Sequence, residues 1–102
     1  MYCVVLVTAK DFDEASAISR KLLEQNLIAC SNIVKDVDSF FSWKGKVANE
    51  KEVLLILKTK EEHLKDLTIE VKNIHSYDIP EIIALPIIYS DQDYLDWIEE
   101  VI

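Results

Sequence analysis

The densest grouping of reactive side chains is the run His75-Ser76-Tyr77-Asp78-Ile79-Pro80-Glu81, an imidazole, a phenol and two carboxylates within seven residues. An imidazole that titrates near neutral pH beside oxygen donors is what divalent transition metals and proton transfers both use. The same residues also read as a histidine ending a helix ahead of a turn that Pro80 shapes. Glu52 and Lys58 stand at the two ends of an apolar run, where they either meet water or line a cleft. Phe40, Phe41 and Trp43 form an aromatic cluster near the only glycine, too large for a two-stranded ribbon to bury alone. A neighbouring copy would cover it, or a ligand would stack on it.

Other chemistries lack their residues. There is no nucleophile elbow, no paired-histidine metalloprotease motif and no Cys-x-x-Cys. One glycine in 102 residues leaves no loop to cradle phosphate, which argues against a nucleotide-dependent enzyme. Glu81 could serve as a cleft base, but no enzymatic activity is expected. His63 and His75 fall twelve residues apart in one predicted helix, about 18 Å along its axis, and cannot share an ion. Cys3 and Cys30 open the first and second strands, which the expected topology sets parallel and about 9 to 10 Å apart with the third between them. That is beyond disulfide reach and too wide for a two-thiolate site.

The elements that would position these residues follow from periodicity. Residues 2–9 form a short, β-branched strand, and Asp11 with Glu14 marks the capped start of a helix carrying Phe12, Ala15, Ile18, Leu22 and Leu23. Asn26 suits the left-handed position that ends it. Residues 29–43 and 47–59 make a long hairpin turning at Lys44-Gly45-Lys46. Thr59 and Glu62 repeat the capping spacing ahead of a second helix with Leu64, Leu67, Val71 and Ile74 on one face. Residues 82–89 form a fourth strand that Pro86 confines to an edge or bulge, and Ser90 with Asp93 opens a short closing helix. The order is that of an α+β, ferredoxin-like βαββαβ sandwich, a single domain over residues 1–102.

At 11.8 kDa, scaling relations give a folded surface of about 5,900 Å² against about 17,100 Å² unfolded, enough burial for one unstapled domain. One feature does not suit a monomer. Val4-Val5-Leu6-Val7, Val53 to Leu57 and Ile82 to Leu85 are apolar at every step, whereas a sheet with one wet face should alternate. The second face is therefore expected to pack against further copies. Hiding about 600 Å² of apolar surface per subunit would contribute on the order of 15 kcal/mol before association entropy.

Charge and context narrow the partners. The chain has 11 Lys+Arg against 19 Asp+Glu, a net of −8, which repels phosphate backbones and anionic lipid and draws cations. Neither nucleic acid nor a membrane is an expected partner. No apolar run approaches the roughly 20 residues that cross a bilayer, and Met1 leads directly into the first strand. With two cysteines and no disulfide framework, a cytoplasmic location is the expectation.

Val5-Leu6-Val7-Thr8-Ala9, Leu27-Ile28-Ala29-Cys30, Trp43-Lys44-Gly45-Lys46, Glu52-Val53 with Ile56-Leu57-Lys58-Thr59, His75 through Ile82, and Asp93-Tyr94-Leu95-Asp96-Trp97 together resemble the CutA divalent-cation-tolerance proteins. The likeness covers essentially the whole chain. It implies a homotrimer of ferredoxin-like subunits, PII-like in architecture, with sheets turned inward and clefts between copies. It further implies a cytoplasmic role in tolerance of divalent metals, copper (Cu2+) above all, without enzymatic activity or an organic cofactor. The family's cleft residues fall on Trp43, Lys58, His75, Tyr77 and Glu81, and its recurring cysteine on Cys30. His75 and Glu81 become the expected metal ligands. Some copper-binding members carry a thiol where this chain has Val7 and a second histidine where it has Ile74, so His75 alone remains of that set. The chain also has Lys44 where many relatives are acidic, and Ser76 where they have proline. Two other readings remain: a PII-like sensor taking a small metabolite or anion near Lys58 and Tyr77, and a scaffold presenting the acidic closing helix with Asp91, Asp93, Asp96, Glu99 and Glu100.

Overall fold

A computed structural model describes all residues, Met1–Ile102. Strand β1 (Tyr2–Ala9) leads into helix α1 (Phe12–Glu24), then β2 (Cys30–Trp43), β3 (Lys46–Lys60), a 3-10 turn (Glu61–His63), α2 (Leu64–Ile74), β4 (Ile82–Pro86) and α3 (Gln92–Val101). The four strands form one antiparallel sheet in the order β2-β3-β1-β4. As the ferredoxin-like reading requires, β3 lies between β1 and β2, and β4 is an edge.

Local chemistry sets the boundaries. Asp11 caps α1 by accepting from the Glu14 N–H at 2.8 Å, and Glu14 accepts in turn from the Lys10 N–H at 3.1 Å. At the far end Asn26 turns left-handed at φ 56°, while the Leu27 N–H donates to the Leu22 carbonyl and the Asn26 N–H to that of Leu23. This double bond pattern closes the helix. Trp43 pairs with Lys46, so the hairpin turn is the two residues Lys44 and Gly45, at φ 51° and 76°. Positive φ at both positions matches the right-handed twist of the flanking strands.

Burial then separates the two faces. Val5, Val7 and Ala9 on β1 and Val53, Leu55 and Leu57 on β3 point at Ala15, Ile18 and Leu22 of α1 and Leu67 and Val71 of α2. The opposite, outer face carries Val4, Leu6, Leu54 and Ile56, half-buried, with Val34, Ile83 and Leu85 exposed beside them. Helix α3 covers one end of that face: Tyr2 donates to Glu99 at 2.8 Å and Lys60 at 3.4 Å. The rest of the face is open. Beyond Val53 the β2–β3 hairpin outruns β1, and between Val34 and Val37 a bulge with Asp36 at φ 59° turns its outer half.

Several expected boundaries move. Thr59 does not cap α2, because pairing of Lys60 with Tyr2 carries β3 past it and its buried hydroxyl donates to the Leu27 carbonyl at 2.6 Å. His63 lies in the 3-10 turn ahead of α2, so the two histidines do not share one helix. Ile74 is mostly outside the core, since α2 ends there. Strand β4 ends at Pro86, short of the expected residue 89, although the Ile87 N–H still donates to the Tyr2 carbonyl at 2.9 Å. Asp91, not Ser90, caps α3, accepting from the Asp93 N–H at 3.1 Å.

Candidate functional site

His75 terminates α2 with its N–H on the Val71 carbonyl, and its extended ψ of 141° throws residues 75–81 across β1 and the start of α1. The imidazole has no exposed surface. Its Nδ1 accepts from the Tyr77 N–H at 3.1 Å, so Nε2, 2.7 Å from the Thr8 carbonyl, carries the proton and donates it there. Glu14 reaches the same loop by accepting from the Ser76 N–H at 2.8 Å, and lies 4.0 Å from His75 Nδ1. Burial pushes the Glu14 carboxyl up, but the bonds from Ser76 and Lys10 and the nearby imidazole outweigh it and hold the group below the usual range.

Tyr77 bridges this buried knot to the hairpin. Its ring sits 4.8 Å from that of His75, and its hydroxyl donates to Glu52 Oε2 at 2.8 Å. Burial, the bond to Glu52 and the charges of Glu52, Glu14 and Glu50 push the phenol well above its ordinary value. Tyr77 also forms part of the wall of a cavity of about 970 Å³ under the hairpin, with Phe41 and Trp43 on one side and Glu50, Glu52, Asp78 and Glu81 as its acids. Lys10 and Lys51 reach its rim and the neighbouring 320 Å³ hollow near Phe12 and Lys35.

The expected cleft residues therefore divide. Trp43, Tyr77 and Glu81 line one cavity, and His75 lies behind Tyr77 without reaching it. Lys58 and Cys30 are elsewhere: Lys58 Nζ bonds the Asn32 side-chain oxygen and is 3.9 Å from Cys30 Sγ. Lys58 lies six positions along β3 from Glu52, about 20 Å of strand. The expectation that His75 and Glu81 jointly hold a metal does not fit this arrangement. Both imidazole nitrogens are already bonded, and no three His, Cys, Asp or Glu side chains converge as metal ligands within one chain. Sequence reasoning saw Glu14 only as a capping residue. Its contact with Ser76 spans 62 positions and leaves no spacing signal.

Fold and site together define a small α+β protein with a carboxylate and aromatic cavity beneath a long hairpin. Residues 3–101 match the profile of the family described as CutA1 divalent ion tolerance protein. The divalent-cation tolerance protein CutA of Thermus thermophilus is 41% identical over 97 residues, covering 95% of this chain and 94% of that one. Its counterpart from Archaeoglobus fulgidus is 40% identical over 102 residues, covering 100% and 99%. A CutA from Arabidopsis thaliana named as chloroplastic is 40% identical, and this chain spans 53% of its length. The solved Thermus structure superposes with a TM-score of 0.97 at 40% identity, covering 99% of this chain and 98% of that one. This chain belongs to the CutA1 divalent ion tolerance family. No helix in it is long and apolar enough to cross a membrane.

Proposed function

We propose that the chain serves divalent-cation tolerance as a cytoplasmic, non-enzymatic homotrimer of PII-like architecture, receiving a divalent metal such as Cu2+ at clefts where copies meet. The observation that carries this reading is the outer face of the sheet. Val34, Ile83 and Leu85 are 43%, 49% and 47% exposed around half-buried Val4, Leu6, Leu54 and Ile56, a contiguous apolar surface of the kind that marks an interface. Glu50, Glu52, Asp78 and Glu81 raise the local concentration of cations in the cavity. Further ligands have to come from a second copy, because one copy gathers too few. In this reading Lys58 and Cys30, at the far end of the same face, would belong to a contact with a neighbouring copy rather than to the cavity beside Tyr77.

Calorimetric titration of Cu2+ into the native protein and Glu81→Gln, with sedimentation of each, tests the reading. The expected result is saturable binding to a trimer, weakened in the variant. Absence of heat from an intact trimer overturns the metal assignment, and a monomer overturns the assembly.

A second reading has its own support in the size of the cavity. About 970 Å³ with Trp43, Phe41 and Tyr77 as walls suits a small organic molecule better than a bare ion, and Lys10 and Lys51 would meet its anionic groups. In this reading the assembly is a PII-like sensor of a metabolite. A thermal-shift screen of small anions distinguishes it, since a ligand that binds only the folded state raises Tm.

A further inference from the structure

We infer that His75 is a buried brace that positions Tyr77 at the cavity wall, and that it is not a metal ligand. A ligating imidazole presents one nitrogen lone pair to the ion and commonly donates the other N–H to a backbone carbonyl. His75 has the second half of that arrangement, Nε2 at 2.7 Å from the Thr8 carbonyl, and lacks the first. The Nδ1 lone pair is spent on the Tyr77 N–H, and the side chain has no surface through which an ion could approach. The one carboxylate nearby, Glu14, already accepts a backbone N–H on each oxygen, from Lys10 and from Ser76. An ion at Nδ1 would have to displace the backbone of its own loop.

What those bonds accomplish instead is mechanical. Thr8 on β1 holds the ring, the ring holds the Tyr77 backbone, and the Tyr77 hydroxyl reaches across to Glu52 on β3. One wall of the cavity is thereby set by a chain of three hydrogen bonds running from β1 to the base of the hairpin.

Two amide substitutions separate the halves of this role. In His75→Asn the Oδ1 stands near the position of Nδ1 and can accept from the Tyr77 N–H. In His75→Gln the longer amide reaches the Thr8 carbonyl and leaves the Tyr77 N–H without its acceptor. Titration of the intact protein with ring-labelled tyrosine, followed by NMR and assigned with Tyr77→Phe, reports whether the phenol stays against Glu52. The expected result is a Tyr77 titration that is nearly native in His75→Asn and falls toward the ordinary tyrosine value in His75→Gln. No change in either variant overturns the positioning role.

Cu2+ alone is the second probe, read by calorimetry and by pulsed EPR for remote imidazole nitrogen. Affinity in His75→Asn is expected within about twofold of native, under 0.5 kcal/mol. Any imidazole signal should persist, because His63 is the other histidine. Loss of that signal together with a drop of about tenfold or more, the scale of even an outer-shell change at a metal, overturns the inference. Native protein that takes up no copper leaves His75 without an ion to ligate and supports it. The inference is separable from the proposed cation cleft: uptake of copper through carboxylates alone upholds both, and no uptake removes only the cleft.

Discussion

Glu14 answers two demands, closing the first turn of α1 and anchoring the loop that carries His75 and Tyr77. Its side chain is 8% exposed and its carboxyl is held low, so the ionised form belongs to the folded state. A depressed carboxylate contributes stability that is complete above its unfolded value, about 4.3, and fades as pH falls through the folded value. Glu14→Gln should therefore be less stable at pH 7 by about 1.5 to 3 kcal/mol, the range for a hydrogen bond to a charged group. The gap from native should close as pH falls below the carboxylate range. Urea melts of both proteins at pH 7 and pH 3 check this, and a gap independent of pH would mean the ionised form is not favoured by folding. The same residues mark what could be foreseen at this scale. His75 at a helix end ahead of a polar loop was legible from the run itself. Its burial was not, because its partners Thr8 and Glu14 stand more than sixty positions away and are brought there only by the sheet.

Among the elements, signals confined to a few neighbours were readable and those set across the sheet were not. The Asp11 cap, the left-handed Asn26 and the glycine turn are decided within six residues of chain, and all three occur as their spacing suggests. The turn permits a clean test. Gly45 holds φ 76° with open space where a Cβ would go, so Gly45→Ala meets no clash and isolates backbone strain, about 1 to 2 kcal/mol. Lys44→Asn, at φ 51°, should be neutral to stabilising, because asparagine tolerates that region better than lysine. Equilibrium denaturation measures both. Thr59 shows the opposite case. Its spacing to Glu62 is that of a capping box, yet strand pairing with β1 carries the chain on to Lys60 and turns the hydroxyl into the core, onto the Leu27 carbonyl. Thr59→Val keeps the shape and leaves that carbonyl without the bond, at about 1 to 3 kcal/mol, while Thr59→Ser retains it. If valine is tolerated as well as serine, the hydroxyl is not what seats the second strand against β3.

The whole molecule is more extended than a free-standing domain of its size. Its surface is 6649 Å², against about 5,900 Å² for a compact monomer of this mass. Its radius of gyration is 14.2 Å, against about 12.8 Å for a globule of 102 residues. The surplus comes from the hairpin that outruns β1 and from the open outer face, and strands apolar at every step had already pointed to that face as covered. How many copies cover it is not written in periodicity; the trimer rests on the family resemblance. Leu85 gives the sharpest test, because it is 47% exposed on the outer face and lies outside the helix-covered core. In a single copy Leu85→Lys puts an ammonium where water can reach it, so the fold should survive. In the assembly the same charge is buried without a partner, a penalty of several kcal/mol for each copy. Light scattering and small-angle scattering at micromolar concentration should find native protein as an oligomer, with a radius of gyration well above 14.2 Å, and Leu85→Lys near that single-copy value. The melting temperature of native protein should rise with concentration while that of the variant stays level, since only the assembled form gains from mass action. Native protein that scatters as one copy and melts independently of concentration would leave the outer face bare, and the cleft drawn between copies would have no second wall.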